Sequence, residues 1–251
     1  MDSSPLIFEN ETATIKRCDH ALWLQISRPP NNYLTTPVFE AVHEAMELLE
    51  TGEDRVLAIT GTGQSFSKGF DLKLMHSCED RKQLRTNLVH TNAIFSRVSR
   101  SPKPVVAVIN GHCLGGGFEL ALCCHLRVCR EGIRMGLPEV WLGMVPGLGG
   151  IQRLTRMVGM SKAFDLIAFG DLFTSADALR MGLVNRVYTK DSFDHDAAGF
   201  VKTLAALDTA ITTRLIKVCR DATLSSSEED HIVSGYEAFR DLAPWMQNQK
   251  Q

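Results

Sequence analysis

The sequence lacks the features that mark several large classes of protein. It has no basic excess, because 27 Lys and Arg residues stand against 29 Asp and Glu, and the formal net charge is -2. A nucleic-acid-binding domain usually carries a clear basic footprint. The longest apolar runs are far shorter than the roughly 20 residues that a membrane-spanning helix needs. We therefore expect neither a nucleic-acid partner nor a membrane span.

The chain also lacks export signals and a metal or disulfide pattern. Residues 1–5 contain neither the charged nor the apolar region of a secretory signal, and they are not the Arg-rich opening of a transit peptide. The seven cysteines match no disulfide framework or zinc spacing. Cys123, Cys124 and His125 are consecutive, and consecutive helical residues point in different directions, so they do not converge on one ion. The sequence predicts a cytoplasmic protein with buried thiols and no metal site.

The sequence does contain an alternation of strand and helix patterns. Strands are predicted over 12–17, 20–27, 55–60, 105–109 and 127–129, and helices over 36–50 and 82–100. The alternation continues to about Val187 and indicates an α/β domain. From Ser192 only helical patterns follow, over 192–206, 208–222 and 226–240.

Two glutamates in unusual settings are the candidate chemical groups. Glu119 follows the glycine triplet 115–117, which opens an apolar helix, and Glu139 follows Pro138 shortly before a second glycine-rich segment. The first N–H groups of a helix have no partner within the helix, and the helix dipole makes its N-terminus favourable for negative charge. A carboxylate one turn into such a helix predicts a site that stabilises an oxyanion and moves a proton.

Five motifs in the right order resemble the crotonase superfamily, the enoyl-CoA hydratase/isomerase family. They are Ser65-Phe66-Ser67-Lys68-Gly69-Phe70-Asp71-Leu72, Pro104 to Gly111, Leu114-Gly115-Gly116-Gly117-Phe118-Glu119-Leu120-Ala121, Leu137-Pro138-Glu139 with 146–154, and Ala176 to Val184. The resemblance covers nearly the whole chain. The second glycine-rich segment matches neither the G-x-G-x-x-G fingerprint nor Walker A, so no nucleotide phosphate loop is indicated.

The resemblance implies an α/β fold, a crotonase-like spiral of ββα units followed by a helical region. We place the spiral core at residues 1–190 and the helical oligomerisation region at residues 191–251. A homotrimer or a dimer of trimers is expected. The apolar positions of the tail have no evident partner in the sequence, which agrees with contacts between copies; they are Phe193, Phe200, Leu204, Leu215 and Ile216.

The resemblance also implies the site residues of an acyl-thioester enzyme. The catalytic carboxylates are Glu119 and Glu139, and the oxyanion hole is formed by the backbone N–H groups of Phe70 and Gly116. The substrate-binding residues are Phe70, Asp71, Leu72, Lys73, Gly116 and Gly147. The implied substrate is an acyl-CoA thioester; coenzyme A is part of the substrate, so no separate cofactor and no metal are expected.

Three positions depart from the family pattern. His125 stands where an aspartate is common, Lys68 replaces a small residue, and Phe70 is bulky where many hydratases have alanine, which predicts a narrowed acyl entrance. The sequence also ends soon after Phe239, where typical members continue, so we expect less cover of the CoA nucleotide by C-terminal helices.

Several functions fit this reading. Members that hydrate keep both glutamates, as this sequence does, so hydration of 2-enoyl-CoA is favoured. An enoyl-CoA delta-isomerase needs only the second glutamate. The glycine–glutamate and Cys-His segments are also similar to diffusible-signal-factor synthases, which dehydrate and hydrolyse 3-hydroxyacyl carrier-protein thioesters. A catalytically silent crotonase fold that serves as an interaction module is the alternative from another class.

Overall fold

The computed structural model describes residues 4–73 and 80–224. Its strands are β1 (Leu6–Glu9), β2 (Ala13–Cys18), β3 (Ala21–Ile26), β4 (Val56–Gly61), β5 (Ser65–Ser67), β6 (Val105–Ile109), β7 (His112–Leu114), β8 (Leu126–Arg130), β9 (Arg134–Gly136), β10 (Phe173–Thr174) and β11 (Arg186–Tyr188). The α-helices are α1 (Thr36–Thr51), α2 (Arg81–Arg100), α3 (Gly116–Cys123), α4 (Gly150–Val158), α5 (Met160–Phe169), α6 (Ser175–Arg180), α7 (Phe193–Ala205) and α8 (Thr209–Leu224). A 3₁₀ helix spans Pro138–Leu142.

The strands form two sheets. The larger has the order β1-β2-β3-β4-β6-β8-β11, and the smaller has the order β10-β9-β7-β5. From β3 to β11 the neighbours in the larger sheet pair in parallel, while β1, β2 and β3 are antiparallel. Parallel strands need covered faces on both sides, which explains why every residue of β4 and β6 is buried. This confirms the predicted α/β class.

Alternate residues of the larger sheet face two separate cores. In β4, Leu57 and Ile59 belong to the main core with α1 and α3. Val56 and Ala58 belong to a second core on the opposite face, because successive side chains of a strand point to opposite sides. The two sides of the sheet are therefore filled by different helices.

Helix α7 supplies the cover for the second core, which the sequence did not predict. Phe193 is buried there together with Trp23 of β3, and Phe200 and Leu204 pack against the same cluster. These three residues thus have partners within the chain, whereas Leu215 of α8 remains 57% exposed. The apolar pattern of 193–204 therefore supports an intrachain role and gives no separate support for contact between copies.

The predicted helices and strands agree with the observed ones to within about two residues, as is usual for element boundaries. The predicted helices at 192–206 and 208–222 correspond to α7 and α8. The predicted helix at 226–240 lies outside the described residues. Within the described ranges, no helix has both the length and the apolar character needed to cross a membrane.

Candidate active site

The glycine triplet allows α3 to begin very close to β5. Gly115 has φ +53°, in the region that favours glycine, and it precedes the first helical residue, Gly116. A Cβ atom on Gly117 would lie 2.3 Å from the backbone oxygen of Ser67. Any side chain at 117 would therefore push the helix away from the strand. The absence of a side chain at 117 therefore allows the N-terminus of α3 to lie beside the residues that follow β5.

The backbone N–H groups of Phe70 and Gly116 line one small space. A Cβ atom on Gly116 would lie 3.4 Å from the Phe70 nitrogen, and a Cβ atom on Gly69 would lie 3.1 Å from the Gly116 nitrogen. Phe70 is fixed by Leu34, whose N–H donates to Gly69 O at 2.8 Å and whose carbonyl accepts from Asp71 N at 3.1 Å. Neither the Phe70 nor the Gly116 N–H donates a hydrogen bond within residues 4–73 and 80–224. Two such donors can together bind an oxyanion.

Glu119 is buried and held by the second glycine-rich segment. Its Oε1 accepts hydrogen bonds from Leu148 N and Gly150 N, both at 2.8 Å. A Cβ atom on Gly150 would lie 2.6 Å from Glu119 Cγ, so glycine is needed for this approach. Burial raises the pKa of Glu119, and the two N–H groups act in the opposite direction because they stabilise the carboxylate.

Glu139 lies in the 3₁₀ helix and has a different environment. Its Oε2 is buried without a hydrogen-bond partner among the described residues. A Cβ atom on Gly115 would lie 3.1 Å from Glu139 Oε1, which places this carboxyl group next to the start of α3. Burial raises the pKa of Glu139 to about 7, and the nearby charge of Glu119 adds to the rise. A carboxyl group with this pKa can take up or release a proton near neutral pH.

The two carboxyl groups therefore differ in the way that acid–base chemistry requires. Glu119 accepts two N–H bonds that stabilise its carboxylate, while Glu139, whose Oε2 has no hydrogen-bond partner among the described residues, has a pKa raised to about 7. Carboxyl groups whose environments push their pKa values apart are typical of an acid and a base that act together. The structure thus brings together Phe70, Gly116, Glu119 and Glu139.

The other predicted substrate-binding residues lie at the edge of this site. The Asp71 carboxylate is already engaged, because it forms an ion pair with Arg28 at 2.9 Å and accepts from Lys73 N at 3.1 Å. Leu72 is 36% exposed. Gly147 is exposed, and its carbonyl accepts from Asn92 Nδ2 of α2 at 3.0 Å. Asp71 is thus positioned to order the segment after Phe70.

The bulky side chain of Phe70 is turned towards α1. Its ring centroid lies 5.7 Å from that of Phe39. Phe70 and Phe39 both border a cavity of about 670 Å³ between α1 and α2, which Leu88 also lines. The ring of Phe70 therefore forms part of the wall of this cavity beside its own backbone N–H group.

His125 lies at the opposite end of α3 from the two glutamates. Its Nδ1 accepts from Val105 N at 3.0 Å, and burial together with the charge of Arg127 lowers its pKa to about 4. It is therefore a neutral structural histidine. Buried Arg127 donates to the carbonyls of Leu183, Ala121 and Cys124, and so holds the C-terminal end of α3. Among the described residues no cluster of His, Cys, Asp and Glu is suited to hold a metal ion.

Sequence reasoning missed the groups that hold Glu119. The N–H groups of Leu148 and Gly150 bind the carboxylate, and neither residue was among the predicted site residues, which included only Gly147 from this segment. The glycine run was the available signal, because closely spaced glycines permit the backbone to approach a side chain. The partnership itself spans 29 and 31 residues and has no local signature.

Comparisons with known proteins agree with this geometry. The family model described as enoyl-CoA hydratase/isomerase matches residues 20–242. A "Probable enoyl-CoA hydratase" of Bacillus subtilis (strain 168) is 38% identical over 163 residues, which cover 64% of this chain and 63% of that protein. A "Fatty acid oxidation complex subunit alpha" of Shewanella frigidimarina (strain NCIMB 400) is 44% identical over 134 residues, 53% of this chain but 19% of that protein. The match thus spans under two thirds of either relative.

Solved structures share the fold over almost the whole chain. An enoyl-CoA hydratase from Geobacillus kaustophilus HTA426 has a TM-score of 0.88 at 25% identity, covering 95% of this chain and 91% of that one. DspI of Pseudomonas aeruginosa has a TM-score of 0.87 at 25% identity, covering 96% and 93%. The matched family model and these neighbours give one conclusion: the chain belongs to the enoyl-CoA hydratase/isomerase family of the crotonase superfamily.

Proposed function

We propose that the protein is a hydro-lyase that adds water across the 2,3-double bond of a 2-enoyl-CoA thioester. The observation that carries the proposal is the pair of unequal glutamates beside two N–H groups without a hydrogen-bond partner in the described residues. Isolated, each feature has a structural explanation. Together they supply a base, an acid and an oxyanion site at one place.

The proposed reaction assigns one step to each group. The thioester oxygen accepts hydrogen bonds from Phe70 N and Gly116 N. The Glu119 carboxylate takes a proton from a water molecule as the water oxygen attacks the β-carbon. The π electrons of the double bond move onto the thioester oxygen, which gives an enolate. Glu139 then donates its proton to the α-carbon, and the carbonyl re-forms. Loss of one such oxyanion donor typically raises the barrier by roughly 3–4 kcal/mol.

The proposal extends to the partners of the reaction. Coenzyme A is part of the substrate, and the backbone donors polarise the thioester, so the mechanism uses neither a metal nor a separate cofactor. We also propose a cytoplasmic homotrimer or dimer of trimers, with residues 1–190 as the catalytic core and 191–251 as the assembling region. The intrachain position of α7 leaves α8 and the later residues as the parts that would make this assembly.

Hydration of crotonyl-CoA, followed as loss of the enoyl-thioester absorbance, tests the proposal. We expect turnover by the native protein and a decrease in kcat of roughly 10²–10⁴-fold in Glu119→Gln and in Glu139→Gln, the usual range for a lost acid or base. Glu11→Gln, at an exposed glutamate, is the matched control. Near-native turnover in either site variant would exclude the two-carboxylate mechanism.

One observation favours isomerisation as a second candidate. Oε2 of Glu139 has no hydrogen-bond partner among the described residues and the pKa of this carboxyl group is about 7, so Glu139 can both remove and return a proton. An enoyl-CoA delta-isomerase would need this residue and the oxyanion donors only. If the protein is such an isomerase, the Glu139→Gln variant should lose activity in a double-bond-shift assay, and the Glu119→Gln variant should keep it.

A further inference from the structure

Arg153 forms a hydrogen bond with the backbone segment whose N–H groups hold Glu119. It lies in the first turn of α4 and is half-buried, and its Nη1 donates to the carbonyl of Leu148 at 2.9 Å. Leu148 therefore joins the two side chains, because its carbonyl accepts from Arg153 while its N–H donates to Glu119. Among the described residues Arg153 has no carboxylate within 4.0 Å, so its charge is not neutralised by a direct ion pair.

Gly149 provides the space in which the guanidinium lies. It has φ +85°, and a Cβ atom at this position would lie 2.3 Å from Arg153 Nη1. The guanidinium thus lies directly over the backbone between the two residues whose N–H groups hold Glu119. A side chain at 149 would displace it from the Leu148 carbonyl.

Arg153 also acts on Glu119 through its charge. The positive charge lowers the pKa of the Glu119 carboxyl and so opposes the effect of burial. The other titratable groups that interact with this carboxyl are Glu139 of the 3₁₀ helix and the thiol of Cys123 on its own helix. Of these groups, Arg153 is the one whose charge favours the carboxylate that the base step requires.

We propose that Arg153 is a positioning residue for the reaction: it fixes the Leu148–Gly150 backbone around Glu119 and supplies the positive charge beside that carboxylate. The inference rests on the proposed function, in which Glu119 is the base. Arg153 touches neither the reacting atoms nor the oxyanion donors, and it acts through Leu148 and Glu119.

The pH profile of kcat/KM separates this role from a general structural one. In the native enzyme the acid limb reflects protonation of Glu119. In Arg153→Gln we expect this limb to move to higher pH by about one unit, in the direction that loss of a nearby positive charge requires. We also expect kcat to fall about tenfold to a hundredfold, since small misplacements of a catalytic group have effects of that size. Arg156→Gln, at an exposed arginine of the same helix, should leave both quantities unchanged.

Arg153→Lys distinguishes charge from geometry. Lysine retains the positive charge but lacks the planar, forked donor set of the guanidinium. We expect the acid limb to return towards its native position while kcat remains reduced. A lysine variant whose limb moves as far as that of Arg153→Gln would overturn the electrostatic part of the proposal.

A measurement without substrate tests the effect of Arg153 on Glu119 separately from the reaction. The pKa of Glu119 is read from the carboxyl resonances of ¹³C-glutamate-labelled protein, with Glu119→Gln to assign the signal. It should rise in Arg153→Gln and stay unchanged in Arg156→Gln. An unmoved Glu119 pKa in Arg153→Gln refutes the inference, whether or not activity falls. A moved pKa in a protein that does not hydrate enoyl-CoA supports the effect of the Arg153 charge on Glu119 and refutes the proposed function.

Gly149→Ala provides the same test if Arg153→Gln does not fold. The added Cβ atom displaces the guanidinium from Leu148 and is also strained at φ +85°, so this variant should also raise the pKa of Glu119, and the double variant separates the two effects. In the Arg153→Gln background, if that protein folds, the alanine should produce no further rise. A native Glu119 pKa in folded Gly149→Ala would contradict the proposal.

Discussion

Replacing Glu139 by glutamine should change the pH dependence of stability as well as activity. The pKa of Glu139 is raised from an ordinary value of 4.5 to about 7 because the carboxyl group is buried without a partner for Oε2. A raised carboxyl pKa means that the folded protein binds a proton that the unfolded chain releases. The associated stability is complete below about pH 4.5 and is lost as the pH rises through about 7.

The size of the effect follows from the two pKa values. Their difference is about 2.5 pH units (7 minus 4.5), and each unit corresponds to 1.36 kcal/mol, which gives an upper limit of about 3.4 kcal/mol. The side chain is half-buried, so solvent screening reduces this to about 1–3 kcal/mol. For a domain of this size, 1 kcal/mol changes Tm by about 2–4 °C. Glutamine does not ionise in this pH range, so it removes this pH-dependent contribution to the free energy of unfolding.

The measurement is thermal unfolding of native and Glu139→Gln protein at several pH values between 5 and 8. We expect the Tm of the variant relative to native to increase by several degrees from pH 5 to pH 8. Glu11→Gln, at an exposed carboxylate, should follow the native curve throughout. Parallel native and Glu139→Gln curves would show that the pKa of Glu139 is not raised by burial and would remove the physical basis for its role as proton donor.

Four further outcomes test the site and its partners. Gly116→Pro should abolish turnover while circular dichroism stays native, because proline lacks the N–H that binds the oxyanion; turnover in the folded variant would exclude this donor. The kcat/KM of the native enzyme should fall as the pH rises through about 7, because Glu139 then loses the proton that it donates; a flat profile to pH 9 would contradict this. Free acyl-CoA should have a higher kcat/KM than the same acyl group on carrier protein, and a tenfold carrier-protein preference that fades with salt would favour the signal-synthase type. Light scattering at micromolar concentration should give a trimer or hexamer, and a monomer would refute the proposed assembly.

The sequence predicted the regular parts of the fold well. Val105–Ile109 is a continuous apolar run between breaking residues, and such a run forms a buried parallel strand wherever helices cover both faces. Helix α1 follows from its 3.6-residue apolar period and from Pro37 in its first turn. These elements have local signatures, and local signatures can be read without knowledge of the packing.

The short strands had no such signature. β5, β7 and β9 have three residues each, too few to show a period of two, and they form a sheet only because the larger elements bring them together. The partner of Phe193 was missed for a related reason. An apolar helix face in the sequence predicts that the helix is buried on that side, but it does not predict which surface of the protein covers it. The glutamates were recognised from their motifs, whereas their unequal environments depend on contacts made far along the chain.

The hydrogen bonds that hold Glu119 determine at what stage of folding the active site is complete. They join residues 29 and 31 positions apart, and the two N–H groups at the start of α3 and after β5 also come from separate parts of the chain. A chain that ends before Gly150 would contain the glycine triplet and Glu119, yet it would lack a donor that holds the carboxylate. Competence is therefore a property of the assembled tertiary structure, so a single local opening of the 146–150 segment would remove the base from its position while leaving every strand paired.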